Sequence, residues 1–287
     1  MQSINEIPIV FSCSGESLVG IIHRSSIDNK TGLLIVVGGP QYRVGSHRQF
    51  VLLARYLAKK NIPVMRFDYR GMGDSSGDLH SFEDINQDIC AAIDTFMENV
   101  PSLEQVVIWG LCDAASAGLL YAYRDKRIAG IILLNPWVRT EAGKAKAYLR
   151  HYYYNRIFEK KFWVKVLSGR FNPFHSLNSL LNLVKLAAKN NKNQNADELD
   201  LVGALPDKML SGLKKFNHPV LVILSGRDLT AKEFRDLIKS SPEWIRVLKK
   251  NEVEFRELPE ANHTFSSAVW RKQVEKWTEE WLIKKMG

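Results

Sequence analysis

The sequence predicts an α/β fold, a mostly parallel eight-stranded sheet with helices on its faces, and three observations carry that expectation. Short apolar runs rich in Val, Ile and Leu alternate with amphipathic stretches; strands buried on both faces and the helices that cover them read this way. Gly, Pro and Asp punctuate those runs, where the chain turns out of a sheet. The 287 residues, 45% hydrophobic and 25% charged, suffice for one large core.

Strands are predicted at residues 9–12, 17–23, 33–37, 63–67, 105–109, 128–134, 219–224 and 253–258. Helical spacing links Phe50, Leu53, Ala54, Leu57 and Ala58, then Ile85, Ile89 and Ala92, then residues 269–283 with three tryptophans. Cys90 is expected to be buried on the second of these. After Asn135-Pro136 the strand-like runs stop, and a basic, aromatic-rich stretch begins. The expected organisation is a core of residues 1–136 and 213–287 with a helical cap inserted at 137–212. An Asn- and Lys-rich tract at 189–195 has the composition of a surface loop.

No apolar run reaches the roughly 18 residues of a membrane-spanning helix, and the first residues lack the basic start and apolar stretch of a secretory signal. A cytoplasmic location is the expectation. The three cysteines, Cys13, Cys90 and Cys112, have neither disulfide nor metal-ligand spacing. No phosphate-binding loop is present, and Gly71, Gly73 and Gly77 miss the dinucleotide spacing, so no cofactor or metal is expected. Asp68 and Arg70 in that loop are read as locking it against the core.

The segment from Val106 to Leu120 is a buried-type strand running straight into a small-residue helix, with Cys112 at the turn. So tight a turn strains its central residue and needs small neighbours two positions away, here Gly110 and Ala114. The helix that starts there aims its N–H groups and positive dipole end at the sulfur, which favours a thiolate. The other reading of Cys112 is a small hydrophobe packed at a strand end. A nucleophile needs a base and a group to orient it. Asp228 follows the strand 219–224 through Ser225-Gly226-Arg227, and His263 follows the last strand. Asp228 also suits the cap of a helix starting near Thr230, and His263 could be one surface histidine among seven. An oxyanion would need backbone donors: Asp113 N–H, and Gly39 N–H from Gly38-Gly39-Pro40-Gln41, or Gln41 N–H if the register differs by one.

These residues resemble the α/β-hydrolase fold: Gly110-Leu111-Cys112-Asp113-Ala114 is similar to its nucleophile elbow, with Cys for Ser, and nucleophile–acid–histidine is its triad order. The residues 38–50, Gly110-Leu111-Cys112-Asp113, Leu134-Asn135-Pro136-Trp137-Val138-Arg139-Thr140 and Gly226-Arg227-Asp228-Leu229-Thr230 together resemble the exosortase A system-associated hydrolases of type 1, within the serine-aminopeptidase-like branch. That resemblance implies a link to exopolysaccharide production and envelope-protein sorting, but no substrate.

The expected function is hydrolysis of an ester or thioester through an acyl-enzyme on Cys112, with His263 as base then acid and Asp228 orienting it. The alternatives are an acyl transferase on the same site and an inactive hydrolase-fold binding protein. Between Trp137 and Asn195 stand twelve basic and two acidic residues, so the segment is more positive than the chain's net +9. An anionic or carrier-bound acyl substrate, or the inner-membrane surface, would use that charge. Nucleic acid is not expected, because the aromatics Tyr148, Tyr152, Tyr153, Tyr154, Phe158, Phe162 and Trp163 fall mostly at helical spacing, which suits packing better than base stacking. The oligomeric state is not legible.

Overall fold

Four strands of unbroken apolar sequence are buried along their whole length: β3 (Thr31–Val36), β5 (Gln105–Leu111), β6 (Ile128–Leu134) and β7 (Val220–Ser225). Only Gln105, the first residue of β5, is partly exposed. Strands covered on both faces have no polar side to show. The computed structural model describes residues 4–24, 29–39, 41–139, 204–251 and 253–286. The remaining strands are β1 (Asn5–Cys13), β2 (Glu16–Arg24), β4 (Val64–Phe67) and β8 (Glu254–Leu258), giving one eight-stranded sheet in the order β1-β2-β4-β3-β5-β6-β7-β8. β1 and β2 pair antiparallel, as do β2 and β4, and every other pairing is parallel. The two edge strands, β1 and β8, alternate or carry charges such as Glu254, Arg256 and Glu257, a pattern that discourages pairing with another chain.

Seven helices are described: α1 (Gln49–Ala58), α2 (Asn86–Asn99), α3 (Asp113–Ala122), α4 (Leu205–Lys215), α5 (Leu229–Ser240), α6 (Pro242–Lys250) and α7 (Ala268–Met286). The period of two along each strand divides the sheet's faces. Leu33, Ile35, Val107, Trp109, Leu111, Ile132, Leu134, Leu221 and Ile223 form one core with Phe50, Leu53 and Leu57 of α1 and Val274, Trp281 and Leu282 of α7. Phe50 stands edge-on to Trp109, with ring centroids 5.6 Å apart. On the opposite face α2 and α3 come close enough that a side chain at Gly32 would meet Phe96 and one at Gly118 would meet Ile108.

The connection after β3 leads to β4 on one side, while that after β5 leads to β6 on the other. Two neighbouring parallel strands whose exits diverge leave a crevice at their carboxyl ends, the general position of ligand sites in such sheets. The loop Gly38-Gly39 and the turn at Cys112 are those exits.

By its contacts the chain divides into Met1–Val138 with Met209–Gly287, and Arg139–Lys208. The second unit falls almost wholly outside the described residues, and with it the expected helical cap. From Met209 onward α4 belongs with the core, where Met209, Leu213 and the following Phe216 are buried.

One expectation is corrected. Cys90 is half-buried rather than buried, because its sulfur turns to Arg127 (3.7 Å) and Asp94 (4.0 Å) instead of into the apolar layer. Asp68 and Arg70 hold their loop through separate partners. Arg70 donates to both oxygens of buried Asp88 on α2, at 2.9 and 2.8 Å, while Asp68 binds the Arg43 guanidinium and accepts the Arg43 and Asp74 N–H groups.

Candidate active site

Cys112 stands between β5 and α3 with φ 63 and ψ −124, backbone angles that cost a non-glycine residue strain. Its surroundings impose them. Cys112 N–H donates to Leu134 O (2.8 Å), continuing the pairing with β6, and its carbonyl accepts Ser116 N–H and Trp137 N–H. The turn is so tight that a Cβ on Gly110 would lie 2.6 Å from the Ala114 backbone. Cys112 itself is half-buried, whereas Cys13 is buried at the end of β1.

The ends of β7 and β8 are tied together by Gly226 N–H to Leu258 O (2.8 Å) and Arg227 N–H to Ala261 O (2.9 Å). Those bonds bring Asp228 and His263 into contact, with Nδ1 of His263 2.9 Å from Oδ2 of Asp228. The same carboxylate caps α5, accepting Thr230 N–H (3.3 Å) and Ala231 N–H (3.0 Å). Both readings of Asp228 therefore hold at once: the cap fixes the carboxylate that fixes the imidazole. Cys112 is close enough to the His263 ring to act on its titration. The bond to Asp228, then the neighbouring Cys112, push its pKa up to about 10 against the opposing effect of burial. For Asp228, burial pushes upward, but His263 and the two N–H groups outweigh it and hold the carboxyl below its ordinary value.

Asn135 is a positioning residue that the sequence reading did not single out. It is fully buried at the end of β6, in the left-handed region at φ 44. Its amide nitrogen donates to Ser225 Oγ and to the carbonyl of His263, both at 2.9 Å, and its oxygen accepts Ser225 N–H at 2.9 Å. One side chain thus ties β6, β7 and the histidine loop. The available signal was an Asn directly after an apolar strand and before Pro, a position where Asn tolerates positive φ better than most residues.

Gly39 and Asp113 also meet, but not as two free donors. Gly39 N–H donates to Oδ2 of Asp113 at 2.8 Å, and Ala114 N–H donates to Oδ1 at 2.9 Å. Burial pushes the Asp113 carboxyl above its usual range, with the Gly39 and Ala114 N–H groups working against the shift. The Gly39 donor expected for an oxyanion is thus engaged by Asp113's own carboxylate. Gln41, the other donor considered, lines a cleft of about 560 Å³ with Tyr42, Met72, Gly73 and Asp74. Among the described residues no group of three or more His, Cys, Asp or Glu could hold a metal ion. No described helix is long and apolar enough to cross a membrane.

A strained turn after the fifth strand, an acid after the seventh and a histidine after the eighth, on this strand order, define the α/β-hydrolase fold. Residues 31–265 match the family described as serine aminopeptidase, S33, and the chain belongs to that family, with cysteine at the elbow. Solved structures share the fold at low identity. The Pyrococcus furiosus esterase Pf2001 aligns with TM-score 0.66 and 17% identity over 99% of this chain and 92% of its own. Est1E from Butyrivibrio proteoclasticus, solved with ferulic acid, gives 0.63 and 15% over 97% and 99%. The Pyrococcus horikoshii acylaminoacyl peptidase gives 0.63 and 16% over 99% of this chain and 42% of its own. A curated relative, the polyketide transferase grgF of a Penicillium species, is 30% identical over 90 residues, and this chain spans 31% of that protein's length.

Proposed function

We propose that this protein cleaves thioesters or activated esters through an acyl-enzyme on Cys112. The observation that carries the reading is the His263 ring, bonded at Nδ1 to Asp228 and set near a cysteine on a strained elbow. Cys112 Sγ attacks the acyl carbon, whose carbonyl electron pair moves to oxygen. As the pair returns, the bond to the leaving group breaks and His263 supplies the leaving group's proton. A water that loses its proton to His263 then attacks the acyl-enzyme, and the acid departs as the sulfur is released.

A histidine that rests protonated is ready as the acid but poor as a base, which suits good leaving groups that make little demand on either. Thioesters and activated esters are therefore favoured over amides, despite the aminopeptidase name of the family. Acyl transfer to an acceptor other than water is the second reading, favoured by the partial likeness to a polyketide transferase. The inactive-scaffold alternative leaves the Cys112–His263–Asp228 contact without a use. The resemblance to type 1 exosortase A system-associated hydrolases supports a role beside exopolysaccharide production and envelope-protein sorting. The positive charge of residues 137–195 suits an acyl group on an anionic carrier better than nucleic acid.

The test is a panel of short acyl thioesters and aryl esters with the parent protein and Cys112→Ala. Turnover that vanishes in the variant is expected. Turnover that survives it would place the chemistry elsewhere.

A further inference from the structure

The Asp113 carboxylate holds the Gly39 N–H, a donor that an acyl oxygen at this elbow would need. Its Oδ2 takes the N–H of Gly39 and its Oδ1 that of Ala114, one donor from the β3 exit loop and one from the first turn of α3. Those are the two elements that flank the sulfur. Gly38 completes the cradle: a Cβ there would stand 2.0 Å from Oδ1, so the carboxylate fits only because residue 38 has no side chain. His263 and Tyr69 are the titratable neighbours that feel the Asp113 charge.

We propose that the Asp113 carboxylate is a built-in occupant of the oxyanion hole, which the substrate's carbonyl oxygen must displace before acyl transfer. The inference rests on Cys112 being the nucleophile. A carboxylate and an oxyanion cannot share the Gly39 N–H, and a carboxylate left in place would repel the oxyanion that forms beside it. The occupied state is therefore an idling one. In it the sulfur can react with reagents that develop no charge on oxygen, while attack on a carbonyl is held back until Asp113 swings out.

Two reagents separate these behaviours. Iodoacetamide alkylates by forming an S–C bond as iodide leaves, and no oxyanion arises. A small trifluoromethyl ketone accepts the sulfur at its carbonyl carbon, and the carbonyl electron pair becomes an alkoxide that needs the hole. The quantity read is the affinity for the ketone relative to the alkylation rate of Cys112, in the full-length parent, Asp113→Ala and Asp113→Asn. One oxyanion-hole donor is worth on the order of 10²–10³ in rate, so freeing Gly39 N–H in Asp113→Ala is expected to raise the ratio about tenfold or more. Asp113→Asn, which keeps the shape without the charge, is expected to raise it less, and it decides the matter if the alanine variant does not fold. A ratio that stays level or falls in the folded variants overturns the proposal, because a carboxylate serving only the first turn of α3 would change stability and leave the ratio alone. If neither reagent modifies Cys112 in any of the three proteins, the nucleophile assignment fails and takes this proposal with it; if both modify it equally throughout, only the occupied hole is rejected.

Discussion

His263 is held protonated through the physiological range because Asp228 accepts from its Nδ1, with Cys112 adding to the shift. Its folded value of about 10 lies above the ordinary 6.5, so the charged ring's contribution to stability is complete below about 6.5 and is lost as pH rises through about 10. For Asp228 the sign is opposite: its lowered carboxyl contributes above the ordinary 3.8, and that contribution goes as pH falls through the lowered value. Asp228→Asn is expected to bring the His263 midpoint down from about 10 toward 6.5, followed by the imidazole proton resonances in an NMR titration; a midpoint that does not move would mean Asp228 merely caps α5. A protonated histidine is also a poor base. Cys112→Ser should therefore fold like the parent yet lose on the order of 10²-fold in kcat/KM, the lower end of what general-base assistance supplies. A serine variant as active as the parent would show a site built for a hydroxyl. Of the three cysteines, Cys112 should react first with iodoacetamide, as mass mapping would show: Cys13 is buried and Cys90 turns to Arg127.

At the scale of elements, the site depends on how the exits of β5, β6, β7 and β8 are pinned to one another. Ser116 Oγ of α3 donates to Trp137 O, and Trp137 N–H returns to Cys112 O, so the β6 exit is bound to the elbow. Asn135 does the same for the β7 and β8 exits. Asn135→Ala would leave Ser225 N–H without its acceptor inside the core, at a cost of about 1–3 kcal/mol, measured as the shift in a urea unfolding curve. The histidine loop would be loosened too, so kcat should fall further than KM rises; an unchanged kcat would reduce Asn135 to a purely structural role. The strands were legible because a buried parallel strand must be apolar throughout, and each of the eight expected runs lies within one residue of an observed strand or inside it. That Cys112, Asp228 and His263 each follow a strand was legible because the strand ends could be read in chain order. Asn135 and the Asp113 carboxylate were not, because their meaning lies in what they touch across the sheet: partners up to 128 positions away for Asn135 and 74 for Asp113. The Asp68–Arg43 and Arg70–Asp88 pairs were not legible for the same reason: the sequence pointed to a locked loop but not to the partners that lock it.

At the scale of the whole molecule, charge is unevenly spread along the sequence. Residues 137–195 hold twelve basic and two acidic side chains, while the chain's net charge is +9; the remainder is close to balanced. A field this one-sided draws anions to it and weakens as salt shortens its reach, about 10 Å at 0.1 M ionic strength. A thioester on an anionic carrier, such as a phosphopantetheine arm, would gain from that field, and a neutral thioester of the same acyl group would not. Raising salt from low to physiological strength is therefore expected to lower kcat/KM for the anionic substrate several-fold, with little change for the neutral one. Reversing Arg139, Arg150 and Arg156 to Glu should remove the difference while leaving turnover of the neutral substrate near that of the parent. Equal effects on both substrates, or a parent rate indifferent to salt, would mean that the segment's charge only solvates it, and that substrate choice is made at the elbow and the oxyanion hole alone.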